Sequence, residues 1–247
     1  MDTQHIESVM QGHERIALQF SGGRDSLAVL HLMQPWWPRM TVYHLDTGDQ
    51  YPETRFIADW ARQRVPLVVI RTDVAAWRDE HGWPSDVVPA SGTPLGQKVD
   101  GAGVRVSGRY ECCWRNLMWP MHERMVRDGI TLIVRGQRND EYATPPLRSG
   151  DWDGGMQVLY PIEDWTADDV NAYCRANSLP LAPWYDEGIR RGPECLHCTA
   201  WWDDGRLPYV RRHHPAAYGQ VMFQLKRIGD AVTRQFEPLC DGMEDRS

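Results

Sequence analysis

The sequence predicts an open α/β fold, a mostly parallel sheet with helices on both faces, followed by an irregular cysteine-bearing C-terminal region. Three observations carry this. From residue 15 onward strand-like and helix-like segments alternate, the order produced by parallel strands joined through right-handed crossovers. The segment "PLVVIRT" (66–72) is an apolar run of the kind expected from a strand covered on both faces. Polar turns at 21–26, 46–53 and 135–138 each follow a strand-like segment, which puts all three at the carboxyl edge of the sheet, where ligands of such folds sit.

Taken in order, 3–11 reads as a short first helix. In 15–20 Ile16, Leu18 and Phe20 alternate as in a strand, and in 25–34 Leu27, Leu30 and Met33 recur at helical spacing. A strand "MTVYHLD" (40–46), a helix near 53–63 and the strand 66–72 follow. From 73 to 111 Gly, Pro, Ser and charged residues dominate, so a long loop or lid is expected there. A helix near 115–128, a strand at 131–136 and a short strand near 157–160 restore the pattern. A helix then starts after Trp165, with Thr166 as N-cap and Asp169 completing a capping box. Residues 180–215 are turn-rich, and a last helix is expected over 215–236. The expected organisation is a nucleotide-binding domain over 1–180 and a C-terminal extension over 181–247 packed on it.

The chain has 247 residues, enough to bury a full core, and a formal net charge of −7, which argues against a broadly basic nucleic-acid-coating surface. No apolar run approaches the ~18 residues of a membrane span, and the N-terminus lacks a charged-then-apolar leader pattern, so a cytoplasmic protein without membrane attachment is expected. Six cysteines in a reducing compartment point to metal or redox chemistry more than to disulfides.

The first polar turn, "SGGRDS", holds the main clue. Gly22 and Gly23 let backbone amides approach a ligand closely, and the following helix presents unpaired N–H groups and the positive end of its dipole. That arrangement favours an anion. An ordinary loop with Asp25 or Ser26 capping the helix is the alternative.

Three segments together resemble a known family. "SGGRDS" matches the phosphate-binding loop of the PP-loop, or adenine nucleotide alpha-hydrolase-like, superfamily. "LDTGDQYPET" is similar to the "DTG…PET" segment of its phosphoadenosine phosphosulfate (PAPS) and adenosine phosphosulfate (APS) reductase branch, and "IVRGQRNDE" to that branch's "GxR" strand end. The resemblance covers 15 to about 200. It implies that Ser21, Gly22, Gly23, Arg24, Asp25 and Ser26 cradle the phosphate or sulfate end of an adenine nucleotide. It also implies that Asp46, Thr47 and Gly48 border the nucleotide, and that Gly136 and Arg138 help hold its anionic end. For Arg138 the plainer reading is a salt bridge to Asp140 or Glu141.

Cys112 and Cys113 are adjacent, and Cys195 and Cys198 form a Cys-x-x-Cys. The arrangement looks like the iron–sulfur signature of the APS-reductase type, which implies a 4Fe-4S cluster on these four thiolates. Zinc is the rival, since four thiolates also make a closed tetrahedral site. Adjacent cysteines diverge, which suits a cluster with separate iron corners better than one ion. Cys174, on a helix face with Val170, reads as packing.

The resemblance is incomplete in three places. Reductases of this type attack the sulfate sulfur with the cysteine of a C-terminal "ECGLH" tail; here the tail reads "RQFEPLCDGMEDRS", leaving Cys240 as the candidate nucleophile without the motif. Asn116 stands where the family carries Lys. The loop follows the ATP-pyrophosphatase form more closely than the reductase form. Two activities are therefore expected to compete. The first is reduction of PAPS or APS to sulfite through a cysteine thiosulfonate resolved by thioredoxin or glutaredoxin. The second is cleavage of ATP, with Mg2+, to adenylate a substrate for sulfur transfer, nucleic acid being a partner only in this case. A nucleotide sensor without catalysis is the third class.

Overall fold

A computed structural model describes residues 3–86, 105–141, 146–201 and 205–244. Its contacts divide the chain into two units. One comprises Met1–Asp46, Gln50–Arg71 and Trp119–Gly192, the other Thr47–Asp49, Thr72–Met118 and Pro193–Ser247. Both are discontinuous in sequence, whereas the sequence reading draws one boundary at 180.

The first unit holds a six-stranded sheet in the order β3-β2-β1-β6-β8-β7, built from β1 (Ile16–Gln19), β2 (Met40–Asp46), β3 (Leu67–Arg71), β6 (Leu132–Val134), β8 (Met156–Leu159) and β7 (Trp152–Asp153). All pairs are parallel except β7 with β8. The chain moves outward from β1 to β2 to β3, through α2 (Arg24–Leu32) and α3 (Pro52–Arg62), then returns to place β6 on the other side of β1. The strand order thus reverses between β1 and β6, and the turns that follow these two strands flank the switch point where such sheets bind ligands.

Burial explains the elements. On one sheet face Ala17, Tyr43, Ile133 and Val158 pack with Met125 of α6 (Trp119–Arg127). Leu18, Leu27, Leu30 and Val134 are fully buried as well, each such side chain contributing roughly 1.5–3 kcal/mol. In α3 Thr54, Ile57, Ala58 and Ala61 line the inner face at helical spacing. The first helix, α1, spans Thr3–Gln11. The apolar run at 66–72 proves to be the half-buried edge strand β3, not a strand covered on both faces; an apolar run reports composition, and sheet position is set by the crossovers.

In α7 (Ala167–Ala176) Thr166 accepts from the Asp169 N–H while the Asp169 carboxylate accepts from the Thr166 N–H, the expected capping box. Thr166→Ala should lower unfolding free energy by about 1 kcal/mol in urea denaturation, the typical worth of an N-cap; an unchanged midpoint would show that Asp169 alone suffices.

The second unit corrects the expected loop at 73–111. It contains α4 (Val74–His81), a parallel two-stranded sheet of β4 (Trp83–Ser85) and β5 (Val106–Gly108), and α5 (Arg109–Cys113), while 87–104 lies outside the described residues. A one-turn π segment, Trp114–Met118, follows α5, so the helix expected from 115 already starts at 109. The turn-rich stretch carries α8 (Arg206–His213), and α9 runs Pro215–Glu244, eight residues past the expected end. Val106, Ile228 and Ala231 form this unit's small core with Trp83 and Val232 against it. Among the described residues no helix is long and apolar enough to cross a membrane.

Candidate functional site

In the first unit β1 gives way to a tight turn. Phe20 N–H still bonds the Tyr43 carbonyl at 2.8 Å, and the chain then reverses through Gly22 at φ +84°. That φ favours glycine, and a Cβ on Gly22 would also press on the Thr54 methyl at 3.1 Å. Two serines knit the turn together. Ser26 Oγ donates to the Gly23 carbonyl at 2.9 Å, and Ser21 Oγ lies 3.1 Å from Ser26 Oγ and accepts from Gly23 N–H at 3.2 Å. Gly23 is the N-cap of α2 without a side-chain cap, which leaves neither Asp25 nor Ser26 in the capping role.

The turn has a support that the sequence does not announce. Tyr185 Oη accepts the Arg24 N–H at 3.1 Å and lies 3.4 Å from where a Gly23 Cβ would stand. The Arg24 side chain, 4% exposed, donates to Asn171 Oδ1 and to the Arg190 carbonyl, with its guanidinium 4.7 Å from the Tyr185 ring centroid. Arg24 is thus a strut within this unit.

Arg138, after β6, is 4% exposed. Its Nε donates to Asp25 Oδ1 at 2.6 Å, Nη1 donates to Asp140, and Nη2 reaches Glu141 at 3.3 Å. Both salt bridges of the plainer reading are present, and the Asp25 bond joins the two turns at the switch point. Burial and the Asp25 charge raise the Glu141 carboxyl above its usual range. Gly136 is where the end of β6 meets the first turn of α2, since a Cβ there would fall 2.6 Å from the Asp25 carbonyl carbon and 2.8 Å from Ser26 N. Gly136→Ala should therefore cost ~1–3 kcal/mol of stability, the range for overpacking, and loosen the 21–26 turn. Urea denaturation with nucleotide-binding calorimetry checks both effects, and full stability would refute the close approach.

Asp46 ends β2 opposite Arg71. Thr47 and Gly48 belong to the second unit, and Thr47 lies at the cysteines: its Oγ1 is 3.6 Å from Cys195 Sγ and accepts from Asp49 N–H at 3.3 Å. Gly48 turns at φ +78°.

The cysteines come together although some eighty residues separate the pairs. Cys112 and Cys195 are buried with Val74, and Cys198 packs against them. Cys113 is within electrostatic reach of Cys198. Burial pushes the Cys112 thiol up to about 12 and the Cys113 thiol up to about 11, and Cys195 rises well above its ordinary value. Asn116 Nδ2 donates to the Cys112 carbonyl at 3.0 Å and approaches its sulfur at 3.9 Å, four residues apart on one helix face. Cys174 is remote from these four in chemistry: it is fully buried in the first unit and its thiol faces the Arg24 carbonyl, as expected for packing.

Beside the thiols stands Arg78, 3% exposed, whose Nη1 donates to Asp49 Oδ2 at 2.6 Å while Nε and Nη2 are buried without a hydrogen-bond partner. Asp49 also receives His197 Nδ1 at 2.6 Å. Asp49 and Arg78 escape sequence reasoning because neither residue type nor spacing marks them. The only signal is that Asp49 sits inside the "DTGDQYPET" segment.

Among the described residues no group of three or more His, Cys, Asp or Glu side chains converges tightly enough to hold a metal ion as placed. The donor set nevertheless fits a larger anionic group: four thiols on two segments, and a buried guanidinium with two donors to spare. Cys240 falls within α9, in a helix and not an irregular tail, and its side chain lies outside the described residues.

A model of the phosphoadenosine phosphosulfate reductase domain matches residues 15–233. The chain is similar to the phosphoadenosine 5'-phosphosulfate reductase of Xanthomonas campestris pv. campestris (strain B100), with 28% identity over 204 residues, covering 80% of this chain and 77% of the relative. It is likewise similar to the enzyme of that name from Gloeobacter violaceus, with 25% identity over 206 residues and coverage of 82% and 79%. Among solved structures, the PAPS reductase of Candida auris in a phosphate complex superposes with a TM-score of 0.54 at 14% identity, covering 78% of this chain and 96% of that one, which supports the fold.

Proposed function

The chain belongs to the phosphoadenosine phosphosulfate reductase family, and from that premise we propose that it reduces an adenine sulfonucleotide, PAPS or APS, to sulfite. The observation that carries the reading is the pairing, in one chain, of a two-glycine turn at a helix N-terminus with four gathered cysteines. The turn suits the anionic end of the nucleotide, because backbone amides and the helix dipole favour negative charge.

In the proposed reaction a cysteine thiolate, assigned to Cys240, attacks the sulfate sulfur. The bond from sulfur to the bridging phosphate oxygen breaks, and its electron pair leaves with AMP from APS, or with the 3′-phosphorylated nucleotide from PAPS. The protein is left with a Cys–S–SO3− adduct. A dithiol protein such as thioredoxin or glutaredoxin then attacks the cysteine sulfur, sulfite leaves, and the donor closes its disulfide. Arg138 and Asp25 hold the two turns of the switch point in register during binding.

Cys112, Cys113, Cys195 and Cys198 are proposed to hold a 4Fe-4S cluster. Cys112 and Cys113 are adjacent, and neighbouring side chains diverge, which suits a cluster with separate iron corners better than a tetrahedral zinc ion. When bound, the cluster supplies a fixed, redox-active anionic group.

A second reading, ATP cleavage with Mg2+ to adenylate a substrate for sulfur transfer, is favoured by one feature: Ser21, Gly22, Gly23, Asp25 and Ser26 follow the ATP-pyrophosphatase form of the turn more closely than the reductase form. Anaerobically purified protein should release sulfite from APS or PAPS with a dithiol donor. Pyrophosphate and AMP from ATP, with no sulfite from either sulfonucleotide, would replace the first reading with the second.

A further inference from the structure

We propose that Arg78 is the counter-charge and hydrogen-bond donor of the four-cysteine centre, held in place by Asp49. The inference rests on the cluster reading above and adds to it a positioning residue on a different element from any ligand.

The geometry argues against Arg78 as half of an ordinary ion pair. A guanidinium offers five N–H donors in a rigid fork and prefers to meet a carboxylate with two of them. Here Asp49 takes Nη1 alone, at 2.6 Å, and the carboxylate's remaining capacity goes to the other side: Oδ1 meets His197 Nδ1 at 2.6 Å, and Oδ2 accepts the His197 N–H at 3.3 Å. The Asp49 carbonyl also accepts the Leu196 N–H at 2.7 Å. Asp49 therefore ties the Cys-x-x-Cys loop and the guanidinium to one point.

What remains of Arg78 is a buried cation with two unused donors, Nε and Nη2, and a Trp83 ring 5.1 Å away. Buried donors are rarely left unmet, and a group inside the protein with two unmet donors calls for an acceptor. Cys112 interacts with this guanidinium both through charge and as a hydrogen-bonding side chain, and Cys195 and Cys198 lie within its electrostatic reach. Thiolates and bridging sulfides are acceptors, and hydrogen bonds and net charge around the sulfurs set a cluster's potential.

Asn116 supplies the complementary half of the argument. It is uncharged, and its amide donates to the Cys112 carbonyl at 3.0 Å and approaches the Cys112 sulfur at 3.9 Å. Positive charge reaches Cys112 and Cys195 from Arg78 of α4, while Arg206 of α8 faces Cys113.

The test uses the full chain, purified anaerobically as wild type, Arg78→Met and Arg78→Lys. Iron and acid-labile sulfide per chain, the rate of iron loss to a chelator, and the cluster's midpoint potential by electron paramagnetic resonance titration are measured, with circular dichroism of the iron-free proteins. Arg78→Met should hold the cluster about 10–100-fold less tightly, the scale for losing a partner around metal ligands. Any cluster it retains should have a lower midpoint potential, because removing a cation disfavours the more negative reduced state. Arg78→Lys keeps the charge but loses the fork, so it should fall between the two and keeps the test decisive if Arg78→Met does not fold. Variants that match wild type in chelation rate and potential overturn the inference alone. Wild type that takes up no iron overturns the cluster reading, and this inference with it.

Discussion

Cys195→Ser is expected to purify colourless, without the broad absorbance near four hundred nanometres and without the roughly four irons per chain of a thiolate-held cluster. The reason lies in how much converges on this sulfur. Cys195 is 8% exposed, meets Thr47 Oγ1 at 3.6 Å, and lies in the small core with Val74 and Cys112. A hydroxyl in its place is a poor ligand for iron, and the three remaining thiols cannot close the set. Stability should fall as well. A group bound 100- to 1,000-fold above its dissociation constant stabilises the folded state by ~3–4 kcal/mol, and losing that much lowers Tm by roughly 6–16 °C in a chain of this size. Cys174→Ala is the control: it removes a buried thiol that touches none of the four, so iron content should stay at the wild-type value. Stoichiometric zinc, with neither iron nor sulfide in protein never exposed to air, would exclude the cluster.

How much of this could be read from residues alone depended on the range of the forces involved. Met40–Asp46 and Thr3–Gln11 match the expected segments to the residue, because local alternation and helical spacing specify them. The capping box at Thr166 and Asp169 was legible for the same reason. By contrast β4 and β5 are three residues each, one of them Pro84, too short for any period to register, and they pair across 83 to 108. The short helix α4 buries only Val74 and Arg78, so it has no apolar stripe to reveal it. The same holds for the site. The glycines at 22 and 136 are visible as glycines, but that Gly136 exists to let β6 touch the Asp25 backbone is a tertiary fact. Tyr185, Asp49 and Arg78 acquire their roles wholly from neighbours distant in sequence.

The largest effect on the reaction itself is expected from Cys240→Ser. Wild-type protein mixed with PAPS or APS, without a dithiol donor, should gain about 80 Da by mass spectrometry, the SO3 unit left by thiolate attack, and peptide mapping should place it on Cys240. The variant should show no adduct and release no sulfite, since a serine hydroxyl is far less nucleophilic than a thiolate. It should still bind nucleotide with unchanged affinity, because the turn proposed to hold the anionic end is built from Ser21, Gly23, Ser26 and Tyr185. The structure adds a condition. Cys240 lies in the last turns of a helix that runs to Glu244, and a helical residue is fixed at 1.5 Å of rise from its neighbour. Attack then requires either that the helix end delivers the thiol or that its terminal turns unwind, which is the least costly place for a helix to open. Hydrogen exchange over 236–244 should therefore be fast in the free protein and slow in the sulfonated one if unwinding precedes attack and the adduct is then held. An adduct on any other cysteine would move the nucleophile. The same variant making AMP and pyrophosphate from ATP, with no sulfonate in wild type, would remove Cys240 from the chemistry and leave the turn as the catalytic element.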